Sequence, residues 1–282
     1  MKNKAMNNKP KFIFFGTPEF SVTILEELKS AGYIPSLIVT QPDRPKGRKF
    51  VMTPPPVKTW ALENSIEILQ PENLNEDEII EKLKKQESDL FIVASYGVII
   101  SQEILDIPEH GTLNVHTSLL PKLRGASPIE SVILAGEKET GTTIMLMDEK
   151  MDHGPIISQD SFTLSSDMNA EQLEDTLAHH GGKLLVETIP GFLSGEIKPV
   201  KQNHDKATYC GKIEKSDGEL FDTDTDLEKY RKYLAYFIWP QTFFFDDEGQ
   251  RIKITKAKFE NKKFVIEKII PEGKTEIEYK EN

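Results

Sequence analysis

The sequence contains a single cysteine, Cys210, among its 282 residues. One cysteine cannot form an internal disulfide, and it excludes a zinc site built from several thiolates. The segment Ala207–Gly211 provides no base or cation that would activate the thiol, so we expect no nucleophilic role for Cys210. The histidines other than His116 show no metal-ligand spacing with carboxylates, and we therefore expect no metal.

Long apolar runs and nucleotide-binding glycine loops are also absent. No run of about 18 apolar residues exists, so the sequence predicts no membrane span. Residues 1–10 lack the apolar segment of a secretory signal and are predicted to form a flexible tail. The single cysteine suits a reducing, cytoplasmic location. The segment Gly16–Pro18 matches neither Gly-x-Gly-x-x-Gly nor a Walker loop, and no Gly-x-Ser-x-Gly surrounds Ser118. A nucleotide cofactor and a serine nucleophile are therefore not supported.

The formal net charge of −11 argues against a protein that holds nucleic acid over its whole surface. A polyanionic partner would have to meet local basic patches. The loop over residues 41–58 is one candidate, although by charge alone it is equally well explained as a solvated surface loop. Its basic residues are Arg44, Lys46, Arg48, Lys49 and Lys58, against Asp43. A second candidate patch contains Lys253, Lys256, Lys258, Lys262 and Lys263.

The first 200 residues alternate short apolar runs with helix-period segments, which is typical of βαβ units on a largely parallel sheet. This α/β pattern predicts strands over 11–15, 34–40, 90–95, 112–115 and 142–147. It predicts helices over 20–31, 56–64, 75–86, 128–136 and 169–187.

The C-terminal part shows a different pattern. A helix is predicted over 225–237, and alternating strands over 242–245, 251–259, 263–270 and 275–279 favour a small antiparallel barrel. These strands end close to the C-terminus, which suggests a minimal or shortened barrel. The predicted organisation is a tail over 1–10, a catalytic domain over 11–196, a polar linker over 197–210 and a barrel over 211–282.

Three polar residues are candidates for catalysis. Asn114 and His116 lie two apart at the end of a predicted strand, so both side chains should point to one face. At the carboxyl edge of a parallel sheet they would face the crevice where α/β folds bind ligands, and Asp152 after the next strand could reach it. An amide and an imidazole can stabilise an oxyanion, and a carboxylate-held histidine can move protons during acyl transfer to an amine. From spacing alone, a structural histidine at a strand end is the more frequent alternative.

At these residues the sequence resembles the folate-dependent formyltransferases. The family block Asn-x-His-x-Ser-Leu-Leu-Pro with a later Asp-x-Gly is matched by Asn114–Pro121 and Asp152–Gly154, although His153 stands where a small or different polar residue is expected. The resemblance implies a Rossmann-like catalytic domain, an OB-like barrel and 10-formyltetrahydrofolate as donor. It implies catalytic roles for Asn114, His116 and Asp152. The implied folate-lining residues are Tyr96, Gly97, Val98, Ser118, Leu119, Leu120 and Pro121.

Other segments suggest the acceptor. Residues 14–20, 39–48, 53–58, 123–129, 140–145 and 239–240 resemble the branch that formylates initiator methionyl-tRNA for translation initiation. That branch implies tRNA contacts from Arg44, Lys46, Arg48, Lys49 and Arg124, and we expect a monomer. An amino sugar linked to a nucleotide is the alternative acceptor. A non-catalytic RNA-binding protein and an enzyme that hydrolyses the folate donor without an acceptor are weaker alternatives.

Overall fold

The computed structural model describes residues 9–47 and 49–280, and these form two compact units. The first unit contains the chain up to Lys122, Gly141–Asp160 and Asp175–Ala207. The second contains Leu123–Thr140, Ser161–Glu174 and the chain from Thr208 onward. Most of the predicted tail lies outside the described residues, and so does Arg48. The domain limits predicted from the sequence remain a prediction.

Strands and helices alternate along most of the chain. The strands are β1 (Phe12–Gly16), β2 (Leu37–Val39), β3 (Arg44–Lys46), β4 (Val51–Thr53), β5 (Ile68–Leu69), β6 (Leu90–Ala94), β7 (Thr112–His116), β8 (Arg124–Gly125), β9 (Glu139–Leu146), β10 (Ile156–Thr163), β11 (Tyr209–Cys210), β12 (Phe243–Phe245), β13 (Arg251–Glu260), β14 (Lys263–Pro271) and β15 (Ile277–Glu278). The helices are α1 (Glu19–Ser30), α2 (Pro56–Glu63), α3 (Asp77–Lys85), α4 (Gln102–Leu105), α5 (Pro128–Ala135), α6 (Ala170–Leu193) and α7 (Asp226–Ala235).

A seven-stranded sheet with the order β10-β9-β7-β6-β1-β2-β5 carries the first unit. β1 pairs in parallel with β2 and β6, and β6 pairs in parallel with β7. All five residues of β1 and of β6 are buried, as expected for central parallel strands with both faces covered. β7 and β9 are antiparallel, so the sheet is mixed. The predicted α/β class with a largely parallel, Rossmann-like sheet is confirmed.

The helices of the first unit follow the apolar periodicity of the sequence. α1 buries Ile24, Leu25 and Leu28, which are spaced to lie on one face. α3 buries Ile79, Ile80 and Leu83 and leaves its lysines and glutamates exposed. α6 extends to Leu193, beyond the predicted end at residue 187, and includes Pro190.

The second unit contains an antiparallel sheet with the order β12-β13-β14-β15, which confirms the predicted antiparallel strands. α7 starts with a capping box in which Thr225 and Glu228 each bind the other's backbone N–H, and it contacts β13 and β14. A small apolar core forms around Leu220, Ile252 and Ile254. No helix among the described residues is long and apolar enough to cross a membrane.

The predicted linker over 197–210 makes regular backbone contacts. Val200 and Ile156 exchange two backbone hydrogen bonds of 2.8 Å. Near the end of this segment β11 pairs in parallel with β8. The polar composition of the segment therefore does not prevent backbone pairing.

Candidate active site

Asn114 and His116 lie at the carboxyl end of β7, where the sheet positions them. Asn114 is opposite Val93 of β6, and His116 is opposite Thr143 of β9. Because side chains alternate along a strand, the two residues share one face of the sheet. The His116 side chain is only 6% exposed, whereas Asn114 is partly buried.

Asp152 lies beside His116, as the sequence motif suggests. Its Oδ1 is 3.5 Å from His116 Nδ1, and its side chain is 12% exposed. That distance is at the outer limit of a hydrogen bond. A carboxylate at this position can orient the buried imidazole of His116, as an acid–base role requires.

Asp152 reaches His116 by a different route from the one expected. We expected it to follow a strand that ends at the same sheet edge as β7. Because β9 runs antiparallel to β7, its last residue Leu146 pairs with Leu113, near the beginning of β7. The loop between β9 and β10 therefore brings the carboxylate to His116, and the backbone of Asp152 is left-handed, with φ of 51°.

Gly154 and Gln202 fix this loop. A Cβ at Gly154 would overlap the carbonyl oxygen of Leu146, so the close approach requires glycine. The side-chain amide of Gln202 donates to the carbonyl oxygens of Asp152 at 2.9 Å and Gly154 at 2.7 Å. Sequence reasoning missed Gln202, because nothing local to the polar segment around it indicates a partner far along the chain.

The segment Ser118–Pro121 after β7 is held by hydrogen bonds from two polar side chains. Thr143 Oγ1 donates to the Ser118 carbonyl at 2.6 Å and accepts from the Leu120 N–H at 3.2 Å. Gln159 Nε2 donates to Thr143 Oγ1 and to the Leu120 carbonyl, both at 2.8 Å. Ser118 is buried and its hydroxyl donates to the Lys122 carbonyl, which does not suit a nucleophile. The Leu119 side chain is partly buried, and the Leu120–Pro121 peptide is cis.

The segment after β6 combines a buried tyrosine with an exposed apolar turn. Burial raises the pKa of Tyr96 to about 12. The Tyr96 carbonyl accepts a hydrogen bond from Thr17 Oγ1 at 2.9 Å. Gly97 is left-handed with φ of 85°, and no atom lies within 4 Å of the position of a Cβ there. Val98 is 44% and Ile99 is 79% exposed, so an apolar surface flanks an open stretch of backbone.

Most of the predicted RNA-contacting cations lie on one hairpin. Arg44 and Lys46 are exposed on β3, which pairs with β4, and Lys49 is exposed in the connecting turn. Arg44 Nη2 lies 2.6 Å from Glu72 Oε2, so part of its charge is already paired. Two neighbours hold the pKa of Asp43 below its usual range. The larger effect is a hydrogen bond from Gln70, and the next is a hydrogen bond from Lys58, which lies 2.8 Å away.

Arg124 differs from these cations because it is only 1% exposed. Its Nη1 lies 3.3 Å from the Tyr209 hydroxyl, and its backbone pairs with Tyr209. A direct contact with RNA would require this side chain to leave its buried position. In the second lysine patch, Lys256 and Lys258 both lie within 4 Å of Glu267, whose single negative charge offsets part of theirs.

A cavity of about 230 Å³ in the second unit contains none of the predicted site residues. Glu130 and Trp239 are among the residues that line it. Burial raises the pKa of Glu130 above its ordinary value. Among the described residues, no group of three or more histidine, cysteine or acidic side chains could hold a metal ion.

The Rossmann-like sheet, with the buried His116–Asp152 pair at the carboxyl end of β7, is that of an α/β enzyme. The chain belongs to the formyl transferase family: the family model described as "Formyl transferase" matches residues 10–189. A methionyl-tRNA formyltransferase from Bacillus subtilis (strain 168) is 45% identical over 249 residues, which are 88% of this chain and 78% of that protein.

Two solved structures show the same fold at low sequence identity. A methionyl-tRNA formyltransferase from Clostridium thermocellum aligns with a TM-score of 0.63 and 18% identity, covering 96% of this chain and 100% of that chain. The N-formyltransferase from Helicobacter canadensis in complex with folinic acid and dTDP-3-aminofucose aligns with a TM-score of 0.64 and 20% identity, covering 89% and 88% of the two chains.

Proposed function

We propose that this protein transfers the formyl group of 10-formyltetrahydrofolate to the α-amine of initiator methionyl-tRNA. The observation that carries the proposal is the buried His116–Asp152 pair, in a chain 45% identical to a methionyl-tRNA formyltransferase. This reaction belongs to translation initiation, which is consistent with a cytoplasmic monomer.

The proposed catalytic residues divide the work of amide formation. The amine attacks the formyl carbon, a new C–N bond forms, and the bond from that carbon to the folate nitrogen breaks. The Asn114 amide and the His116 imidazole stabilise the negative charge that develops on the formyl oxygen. His116 takes the proton from the attacking amine and delivers it to the departing nitrogen, while Asp152 orients the imidazole.

The segments around the pair suit a folate donor, which supplies an activated formyl group. A pterin is a flat ring with polar edges, and such ligands are held by apolar surface and a few fixed polar groups. Val98 and the open backbone at Gly97 provide surface of this kind. Ser118–Pro121 is pinned by Thr143 and Gln159, so its backbone groups are held in place for a ligand. We propose Tyr96–Val98 and Ser118–Pro121 as the donor site.

The acceptor site is proposed to include the β3–β4 hairpin. Arg44, Lys46 and Lys49 are exposed there, and Arg48 precedes Lys49 in the sequence. Phosphate contacts from such cations dominate the affinity of proteins for nucleic acid. The antiparallel sheet of the second unit supports an OB-like barrel, a fold that binds oligonucleotides. For Arg124, which is itself buried, we propose a supporting role through its contact with Tyr209.

The test is formyl transfer from 10-formyltetrahydrofolate to charged initiator methionyl-tRNA. Uncharged tRNA and dTDP-3-aminofucose serve as control acceptors. Formylmethionyl-tRNA that forms only with the charged tRNA would support the proposal. Formylation of the sugar nucleotide instead would show that the acceptor is an amino sugar linked to a nucleotide. Folate binding without any transfer would contradict the catalytic assignment.

Replacing His116 by alanine should lower kcat by roughly 10²-fold or more, because both oxyanion stabilisation and proton transfer are lost. His179→Ala is a matched control, since His179 is half-exposed and pairs with Glu27. Steady-state kinetics with saturating folate and tRNA measure the effect. Near-normal transfer by His116→Ala would refute the catalytic role of this residue.

A further inference from the structure

The side chain of Gln202 contacts the loop that carries Asp152. Gln202 is 5% exposed, and it lies beyond residues 10–189, the part of the chain that the family model matches. Its Nε2 donates to the carbonyl oxygens of Asp152 and Gly154, at 2.9 Å and 2.7 Å. A primary amide has two N–H groups, so these two carbonyls can use its full donor capacity.

These hydrogen bonds act on a part of the backbone that is costly to maintain. The φ of Asp152 is 51°, a left-handed conformation that non-glycine residues rarely adopt. Such a conformation persists only where the surroundings determine it. Two carbonyls that flank His153 and converge on one amide define the direction of the backbone on both sides of the turn.

A second contact runs alongside the first. The rings of His153 and His204 are stacked, with centroids 4.2 Å apart and an interplanar angle of 1°. His153 Nδ1 also lies 2.7 Å from Asp148 Oδ2, which fixes the ring from the other side. Residues 202–204 therefore hold residues 152–154 through both a polar and a ring contact.

We propose that Gln202 is a positioning residue for catalysis: its amide holds the Asp152 backbone so that the carboxylate stays beside His116. The inference rests on the proposed function, because it acts through the catalytic role of Asp152. It assigns a role in the reaction to a segment whose composition indicates only a linker. It also explains how a left-handed aspartate is maintained next to an active histidine.

Gln202→Met tests the amide itself, because methionine has a similar length but neither N–H donors nor charge. We expect kcat to fall by about 10- to 100-fold, since a displacement of about 1 Å in a catalytic group can cost 10²-fold. The KM values for folate and tRNA should stay within about two-fold, because the substrate-binding segments keep their own contacts. Gln102→Met is the control, since the amide of Gln102 on α4 donates to Asp106, which follows that helix.

A double-mutant cycle with Asp152→Asn separates positioning from a general structural role. If Gln202 acts through Asp152, adding Gln202→Met to Asp152→Asn should cost at most about two-fold further in kcat. An equal loss in both backgrounds would overturn the inference, as would normal kcat in Gln202→Met alone. Normal activity of Asp152→Asn would overturn the catalytic assignment and this inference together.

A second variant tests the amide again, and unfolding curves separate a loss of activity from a loss of folding. Gln202→Glu keeps the shape of the side chain but turns carboxylate oxygens toward the two carbonyls, so we expect a loss of kcat at least as large as that of Gln202→Met. Rates are expressed per folded molecule, measured from urea unfolding curves of each variant. A Gln202→Glu protein that is folded and fully active would also overturn the inference.

Discussion

Replacing Gly154 by alanine adds one methyl group to the loop between β9 and β10, where Gly154 closely approaches the backbone of Leu146. A Cβ at this position would lie 3.1 Å from the carbonyl carbon of Leu146 and 3.4 Å from the Asp148 nitrogen, and it would overlap the Leu146 oxygen. All of these neighbours are backbone atoms, which cannot rotate away as a flexible side chain would. The loop must therefore move as a whole.

The size of the effect follows from this geometry. Separating the methyl group from the Leu146 oxygen to van der Waals contact requires a shift of at least about 1 Å. Gly154 is two residues from Asp152, whose carboxylate is 3.5 Å from His116. A shift of that size at a catalytic group costs roughly 10²-fold in rate. Overpacking of this kind also destabilises a fold by about 1–3 kcal/mol.

Kinetics of Gly154→Ala with saturating folate and methionyl-tRNA would measure the rate effect, and urea unfolding would measure the stability. Gly211→Ala is the control, because no atom lies within 4 Å of its Cβ position and its φ is not in the left-handed range. That control should keep normal kcat and gain up to about 1 kcal/mol from a less flexible unfolded chain. A Gly154→Ala protein with wild-type kcat would refute the reasoning, since it would show that the loop tolerates the shift.

Two further predictions concern binding and stability. Replacing both Lys46 and Lys49 by alanine should weaken tRNA binding and reduce the steepness of the plot of log affinity against log salt by roughly 1 to 2. The control Lys82→Ala should change neither quantity. Equal salt slopes in the wild type, the double variant and the control would contradict the hairpin as an RNA contact. Burial raises the pKa of Glu130, so the folded protein retains this proton to higher pH than the unfolded chain and loses stability as pH rises through that range. Glu130→Gln should therefore raise Tm at pH 7, and this gain should be absent below about pH 4. Glu63→Gln, at an exposed position, should leave Tm unchanged at both pH values. A gain in Tm that does not depend on pH would refute burial of the Glu130 charge as its cause.

The fold could be predicted wherever burial leaves a local pattern in the sequence. β1 and β6 are continuous apolar runs because both of their faces are covered, and α3 shows helical spacing because only one of its faces is buried. The direction of β9 could not be predicted, because six of its eight residues are buried in succession, the same pattern as in the parallel strands β1 and β6. β10 was missed because it lies at the edge of the sheet and is mostly exposed, so its sequence is polar.

In the candidate site, too, only the features that leave a local signal in the sequence could be predicted. The motif with His116 and Asp152 predicted a pair that the structure brings to 3.5 Å, although the path of the loop was not foreseen. Gln202 left no local signal, because its partners are backbone carbonyls about fifty residues earlier in the chain. The resemblance implied that Arg124 contacts RNA, but a sequence motif does not distinguish an exposed arginine from a buried one.

The division of the chain has a consequence for inheritance. Each unit is assembled from three separate stretches of sequence, so neither corresponds to one continuous stretch of the gene. A single crossover between the genes of two relatives would therefore combine parts of one unit from both parents. A junction placed at the apparent end of the catalytic domain, near residue 196, would bring Gln202 from one parent and Asp152 from the other. Exchange of the second unit alone would require several crossovers, so its sequence is expected to be inherited together with the site.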